Sequence, residues 1–232
     1  MTTAPDDALE AADDLDVGRL AFRRARIEDA AQCAPLIHAS GEREFEYFLG
    51  VPSGARIAFL ESAFRSSAGR FSWRRHRVAV NARGVVAGVL AAHDGRAILW
   101  DDPHIAWALV RFFGPRRAIP ILLRGLILER ELPKPARGQT LIAHCATVAT
   151  ARSRGVFSAL FRHAMGTSAF GVGDDRQLVL DVLDTNHAAR ALYERLGFAA
   201  VARAGKRARA LPAALRSTRM VFAGRERRSD NP

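Results

Sequence analysis

Apolar and polar residues alternate along the second half of the chain in a way that predicts strands separated by helices. Short apolar runs typical of buried strands lie at 141–148 and 178–183. Residues with helical spacing follow each run, at 156–165 and 188–196. A further strand is expected at 198–203. Strands that alternate with helices in this order favour an α/β fold whose sheet has a parallel portion.

The rest of the chain is predicted to supply more helices and a hairpin. Three helical segments are expected, at 27–38, 42–49 and 55–66. Strands are expected at 20–25, 77–81, 84–92 and 217–223. The turn residues Asn81-Ala-Arg-Gly84 separate two of these strands, which favours a β-hairpin. The last strand would close the sheet.

Residues 101–137 form an unusual apolar section that we interpret as a helical insertion. Two helices are predicted within it, at 105–113 and 118–132, divided by Gly114-Pro115. Their apolar side chains allow three interpretations: packing on the sheet as core, the wall of a substrate pocket, or the contact of a homodimer.

Length and composition indicate one soluble globular domain. The chain has 232 residues, of which 49% are hydrophobic and 25% charged. Residues 1–18 are acidic and low in large apolar side chains, so we expect a disordered tail there. The domain is expected to occupy 19–224, followed by a flexible tail at 225–232.

The net charge of +11 is compatible with an anionic partner, such as nucleic acid, anionic lipid or an anionic cofactor. Arginines carry almost all of it, because Lys134 and Lys206 are the only lysines. These arginines are scattered along the chain, and the sequence has no recognisable nucleic-acid-binding motif. We therefore expect no nucleic-acid partner, and we attribute the excess of arginine over lysine to genome composition.

The cysteines and the apolar segments argue against several other classes of protein. Cys33 and Cys145 have no metal-ligand spacing, so neither a disulfide framework nor a zinc site is expected. The apolar stretch at 118–128 is short and contains Arg124, which argues against a membrane span. The acidic N-terminus lacks a signal-peptide pattern. A cytoplasmic protein is the expectation.

Two motifs in the second half of the chain indicate its function. One is Asn186-His-Ala-Ala-Arg-Ala-Leu-Tyr193-Glu-Arg-Leu-Gly197-Phe198, which follows the apolar run at 178–183; the other is Arg152-Ser-Arg-Gly155-Val-Phe-Ser158. Together they resemble the C-terminal half of a GCN5-related N-acetyltransferase (GNAT). The resemblance implies a mixed, mostly antiparallel sheet of about seven strands flanked by helices. It also implies transfer of an acetyl group from acetyl-CoA to a primary amine on a small molecule or a peptide.

The resemblance places the diphosphate of acetyl-CoA at the start of a helix, where free backbone N–H groups and the helix dipole attract anions. Phe157 departs from the family pattern, which usually has glycine or alanine there. Its side chain must therefore point away from the phosphates. The residues implied around the diphosphate are Arg152, Ser153, Arg154, Gly155, Val156, Phe157 and Ser158.

The same resemblance assigns roles around the thioester. The main chain of Cys145, Ala146 and Thr147 would pair with the pantetheine arm, in the manner of an added strand. Asn186 would hydrogen-bond that arm, and Tyr193 would protonate the departing thiolate. An amide near Thr147 or Val148 would hold the oxyanion. Two plainer interpretations stay open: Asn186 serves only as a helix N-cap, or Tyr193 carries its hydroxyl at the surface.

The general base is less well defined. His144 is a candidate because the ordinary pKa of histidine suits the task. Glu129, Glu131 and a route through solvent are alternatives, and Glu42, Glu44 and Glu46 would supply local acidity for the amine. A non-catalytic acyl-CoA-binding module is the competing function, and Phe157 is its main support.

Overall fold

The predicted strands assemble into one sheet in the computed structural model, which describes residues 16–167, 170, 176–202 and 211–224. Residues 1–15 of the predicted tail at 1–18, and the whole predicted tail at 225–232, lie outside these residues. The strands are β1 (Ala21–Arg24), β2 (His76–Val80), β3 (Val86–Asp94), β4 (Gln139–Thr147), β5 (Gln177–Leu183), β6 (Phe198–Ala200) and β7 (Ser217–Phe222). Val17–Arg19, which overlaps the end of the predicted acidic tail, forms a short 3₁₀ turn before β1.

The strand order is β1-β2-β3-β4-β5-β7-β6. Only β4 and β5 run parallel; the other neighbours are antiparallel. This confirms the predicted mixed, mostly antiparallel sheet. The pair β4 and β5 can run parallel because the helix between them crosses over one face of the sheet.

Seven helices flank the sheet within the described residues. They are α1 (Ala30–Ser40), α2 (Glu42–Leu49), α3 (Ser53–Phe64), α4 (Ile98–Phe113), α5 (Pro115–Glu129), α6 (Val156–Gly166) and α7 (His187–Leu196). The first five contribute to a core on one face, with Ile37, Phe59 and Leu109 fully buried. The last two form a second core on the other face, around Leu160 and Met220.

The two helices predicted within residues 101–137, the section interpreted as an insertion, are α4 and α5, and α4 begins earlier than predicted, at Ile98. Pro115 begins α5, where its missing N–H leaves no bond unmade. Arg124 donates hydrogen bonds to the carbonyl oxygens of Phe48 and Leu49, at distances of 2.9 and 2.8 Å. These bonds fasten the insertion to the C-terminal end of α2. No helix in the described part of the chain is long and apolar enough to cross a membrane.

Candidate functional site

A β-bulge in β4 shapes the centre of the site. Val89 of β3 pairs with Ala146 and Ala91 with Ala143, so Leu90 alone faces two residues, His144 and Cys145. His144 absorbs the extra residue by adopting a left-handed backbone conformation, with φ of 53°. Bulges of this kind re-aim side chains. Here His144 contacts aromatic residues of the α1–α5 face, whereas Cys145 packs in the α6–α7 core.

The parallel pair β4 and β5 opens at this point. Their pairing covers only three positions, from Gln139–Gln177 to Leu141–Val179. Both strands continue, yet β4 pairs only with β3 and β5 only with β7 thereafter. One edge of β4 from 142 to 147 therefore presents unpaired main-chain groups, as strand addition of a pantetheine arm requires.

Only one of the two amides predicted for the oxyanion is available. The Val148 N–H donates to the carbonyl oxygen of Ala87, at 3.0 Å, so it belongs to the β3 ladder. Successive N–H groups of a strand point to opposite edges. The Thr147 N–H is consequently directed at the open edge, which leaves Thr147 as the candidate.

The predicted diphosphate loop has the geometry of an anion site. Ser153 and Gly155 both have left-handed φ angles, of 60° and 81°, and they turn the chain into α6. The first N–H groups of α6 have no acceptor within the helix. Arg152 and Arg154 are exposed beside them. Backbone donors and positive charge thus meet at one helix end, which fits a diphosphate.

Phe157 does not obstruct this loop. Its side chain is only 8% exposed and belongs to the α6–α7 core. The ring packs edge-on against Tyr193, with 6.2 Å between centroids. The condition set by the sequence, that this side chain point away from the phosphates, is met, because the large residue fills the core instead.

Tyr193 is buried, so the interpretation of a surface hydroxyl is wrong. The Cys145 thiol donates to the carbonyl oxygen of Ala143, with 3.6 Å between sulfur and oxygen, and the side chains of Cys145 and Tyr193 influence each other's pKa. Burial, reinforced by Cys145, raises the pKa of Tyr193 well above its ordinary value. Burial also raises the pKa of Cys145 to about 12. At neutral pH both groups keep their protons, so Tyr193 can act as a proton donor and Cys145 is not a nucleophile.

Asn186 is the N-cap of α7. Its Oδ1 accepts a hydrogen bond from the Ala189 N–H at 3.1 Å, and the residue is exposed. Asn186 therefore caps the helix, which is compatible with a second role at the cofactor. The side-chain NH₂ group of Asn186 is not needed by the cap, so the predicted bond to the pantetheine arm stays a prediction.

His144 belongs to a chain of hydrogen bonds that fixes its tautomer. Nδ1 of His76 lies 2.8 Å from the carbonyl oxygen of Ser72, and Nε2 of His76 lies 2.9 Å from Nδ1 of His144. A carbonyl oxygen only accepts, so the His76 proton is on Nδ1 and its Nε2 accepts. His144 must then donate through Nδ1. Neutral His144 is left with an unprotonated Nε2, which is the atom that a general base needs.

The surroundings keep these imidazoles neutral. Burial lowers the pKa of His76 to about 4. Burial is also the main cause that lowers the pKa of His144 and His93 well below the ordinary value, and the nearby histidines and the cation Arg70 add to it. The His93 ring stands edge-on to His144, with 5.5 Å between the ring centroids.

No group of three or more potential metal ligands occurs among the described residues.

A cavity of about 540 Å³ opens in front of His144. We call it the α2–α5 cavity, because both of those helices line it. Its lining includes Leu141–His144 of β4 and Asp181 of β5, so it reaches the gap between the parallel strands. The insertion therefore serves two of the roles left open by the sequence: Leu109 and Ile121 pack as core, and Leu122 and Leu126 line the cavity.

Neither predicted glutamate of the insertion matches His144 as a base. Glu131 is buried and accepts a hydrogen bond from the Ser217 N–H at 2.9 Å, which ties the insertion to β7. Glu129 lines the cavity, but Arg70 and Lys134 hold its carboxylate at 2.9 and 3.3 Å. Both carboxylates are thus engaged in structural pairs.

Sequence reasoning missed His76 and His93 as site residues. His76 stands between Arg75 and Arg77 at the start of a strand, where it resembles one more surface cation. Only the sheet register brings it to His144, 68 positions away in sequence. Glu44 was noted only as one of three acids, although it alone among them lines the cavity.

Comparison with known proteins agrees with this geometry. The model of the Acetyltransferase (GNAT) family matches residues 58–198, which is more than half of the chain. No curated protein sequence matches the chain.

Solved structures of acetyltransferases share the fold. An N-acetyltransferase from Staphylococcus aureus Mu50 has a TM-score of 0.63 and 19% identity, covering 87% of this chain and 99% of that one. A structure described as histone acetyltransferase HPA2 and related acetyltransferase, from Corynebacterium glutamicum ATCC 13032, has a TM-score of 0.52 and 20% identity, covering 88% and 96%. At these identities the likeness concerns the fold.

Proposed function

Since the chain belongs to the GNAT family of acetyltransferases, we propose that it transfers the acetyl group of acetyl-CoA to a primary amine bound in the α2–α5 cavity. One observation carries the proposal. The β4 bulge places His144 at the cavity and Cys145, with its partner Tyr193, on the opposite face of the same strand. A thioester lying along the open edge of β4 would have a base on one side and an acid on the other.

The residues present fit acetyl-CoA. The open edge at 145–147 offers main-chain partners to the pantetheine arm, and the loop at 152–158 offers N–H groups and two arginines to the diphosphate. When bound, the cofactor supplies an activated acetyl group. The proteins of this family generally use acetyl-CoA in this way.

The reaction then needs two proton positions. The amine nitrogen bonds to the acetyl carbon while His144 Nε2 accepts a proton from that nitrogen. The carbon–sulfur bond breaks, and Tyr193 gives its hydroxyl proton to the departing sulfur. The Thr147 N–H faces the carbonyl oxygen as negative charge develops there. Solvent exchange then returns a proton to Tyr193 and removes one from His144.

The competing function is a non-catalytic acyl-CoA-binding module. Its main support was Phe157, whose ring fills the α6–α7 core instead of the loop. The two functions differ in what they require of Tyr193. A binding module needs no proton donor, whereas acetyl transfer does.

The test combines binding and turnover. Titration of the protein with acetyl-CoA in a calorimeter should show binding, and Tyr193→Phe should retain it. Turnover with amines should fall by about 10²- to 10⁴-fold in Tyr193→Phe, whereas Tyr47→Phe, at the chain's other tyrosine, should leave it unchanged. Acetyl-CoA binding without turnover of any amine would favour the binding module, and absence of binding would contradict both.

A further inference from the structure

The wall of the α2–α5 cavity is mainly apolar. Phenylalanines come from α2 and the segment before β2, and aliphatic residues come from the insertion. The side chains concerned include Phe45, Phe48, Phe71, Ile105, Leu122 and Leu126. A volume of about 540 Å³ suits a small molecule. A ligand that fills this space must bury apolar surface over most of its length.

Most charged groups in the cavity wall are already paired. Arg70 lies 2.7 Å from Asp102 and 2.9 Å from Glu129, and Lys134 bonds to the same two acids. These four groups sum to zero charge. Asp181 is paired with Arg219 at 2.8 Å. They therefore leave little net charge for a ligand to neutralise.

Glu44 differs from these acids. Its Oε2 is buried and has no hydrogen-bond partner among the described residues, and no cation forms an ion pair with it there. Burial raises the pKa of this carboxyl. A buried carboxylate oxygen without a partner is unfavourable, so a cation from the cavity would satisfy Oε2. Glu44 also directly precedes Phe45, whose ring centroid lies 6.3 Å from that of His144.

His93 provides a second unsatisfied polar position in the same wall. It is only 2% exposed and lines the cavity, yet its Nδ1 has no partner among the described residues. An unpartnered ring nitrogen beside His144 marks where a polar group of a ligand can be accommodated. The polar end of the ligand is therefore expected near Glu44, His93 and His144, with its body along the apolar wall.

We propose that the acceptor is a monoamine on an apolar body, an alkylamine or arylalkylamine, whose ammonium group is held by Glu44. The ammonium gives one proton to solvent, and the neutral amine then attacks while His144 accepts the second proton. This inference rests on the proposed acetyl transfer and specifies its substrate class. A second charge on the acceptor, cationic or anionic, would have to be buried against the apolar wall. Amino acids and polyamines are thus expected to be poor acceptors.

The test compares four amines at saturating acetyl-CoA, with release of the CoA thiol as the readout. Phenylethylamine and hexylamine should be acetylated with kcat/KM at least tenfold higher than lysine or spermidine. Glu44→Gln should raise KM for phenylethylamine by about tenfold or more, with acetyl-CoA affinity unchanged. The matched control is Glu46→Gln, an exposed glutamate on the same helix, which should leave KM within twofold.

Each other result overturns a distinct part of the account. A preference for lysine or spermidine, or equal KM for Glu44→Gln and the wild type, would overturn the substrate class while acetyl transfer stands. Acetyl-CoA binding without acetylation of any of the four amines would overturn the proposed function itself. The melting temperature of Glu44→Gln, measured as a control of folding, is expected at or above that of the wild type, because the variant no longer buries an unpaired carboxylate oxygen.

Discussion

Replacing His76 with leucine removes the acceptor of the His144 Nδ1 proton without changing any residue that lines the cavity. In the wild type this bond is 2.9 Å long and is oriented by the Ser72 carbonyl oxygen. His76 is therefore a positioning residue: it acts on the reaction by keeping Nε2 of His144 unprotonated. In His76→Leu both tautomers of His144 become accessible.

The size of the effect follows from that hydrogen bond. A buried bond of this kind is worth about 1–2 kcal/mol, and this energy biases His144 towards the productive tautomer by a factor of about 5–30. We expect kcat/KM of His76→Leu to fall by about that factor. Removing the base altogether, in His144→Ala, should cost about 10²- to 10⁴-fold.

Steady-state rates of CoA release for His76→Leu, His144→Ala and the double variant test whether His76 acts through His144. If His76 acts through His144, the double variant should be no slower than His144→Ala, because effects in one catalytic unit are not additive. A pH profile of kcat/KM adds a second readout. Equal losses from His76→Leu in the presence and absence of His144 would refute the tautomer mechanism and leave only a structural role.

Three further predictions concern stability and cofactor binding. The pKa of His76 falls from 6.5 to about 4 on folding, so the unfolded state binds more protons between these pH values. The free energy of unfolding should therefore decrease by about 3 kcal/mol as pH falls from 7 to below 4. In chemical denaturation, His76→Leu should not show this contribution to the pH dependence. Arg154→Ala should weaken acetyl-CoA binding by about fivefold at low salt and less at high salt, with Arg116→Ala, a surface charge on α5, as the control in calorimetry. Phe157→Ala should lower the free energy of unfolding by about 3–5 kcal/mol in a denaturant titration, and a loss below 1 kcal/mol would contradict its place in the core.

Local sequence patterns were sufficient to place the strands and helices of the second half of the chain, whereas the mostly antiparallel order of the sheet was implied by the family resemblance. Apolar runs separated by helical spacing predict β4, α6, β5 and α7 because each element buries a face set by its own periodicity. The capping role of Asn186 could also be predicted from the sequence, because a cap depends only on neighbours within one helical turn.

The arrangement of the residues assigned to proton transfer could not be predicted from the sequence alone. The left-handed φ of His144 has no sequence signature, because a bulge depends on the register with β3. The contact with His76 likewise joins two strands that are distant in sequence. The missing partner of the Glu44 Oε2 atom is seen only once the cavity lined by α2 and α5 is known. The helix pattern alone shows only an acidic residue in the first turn of α2.

Detection of the amide product by mass spectrometry tests the central claim most directly. Wild-type protein incubated with acetyl-CoA and phenylethylamine should give N-acetylphenylethylamine in proportion to the CoA released, and His144→Ala should form it at least about 10²-fold more slowly. Formation of the amide at the same rate in both proteins would contradict the assignment of the base. Absence of the amide with acetyl-CoA bound would contradict acetyl transfer to an amine of this class.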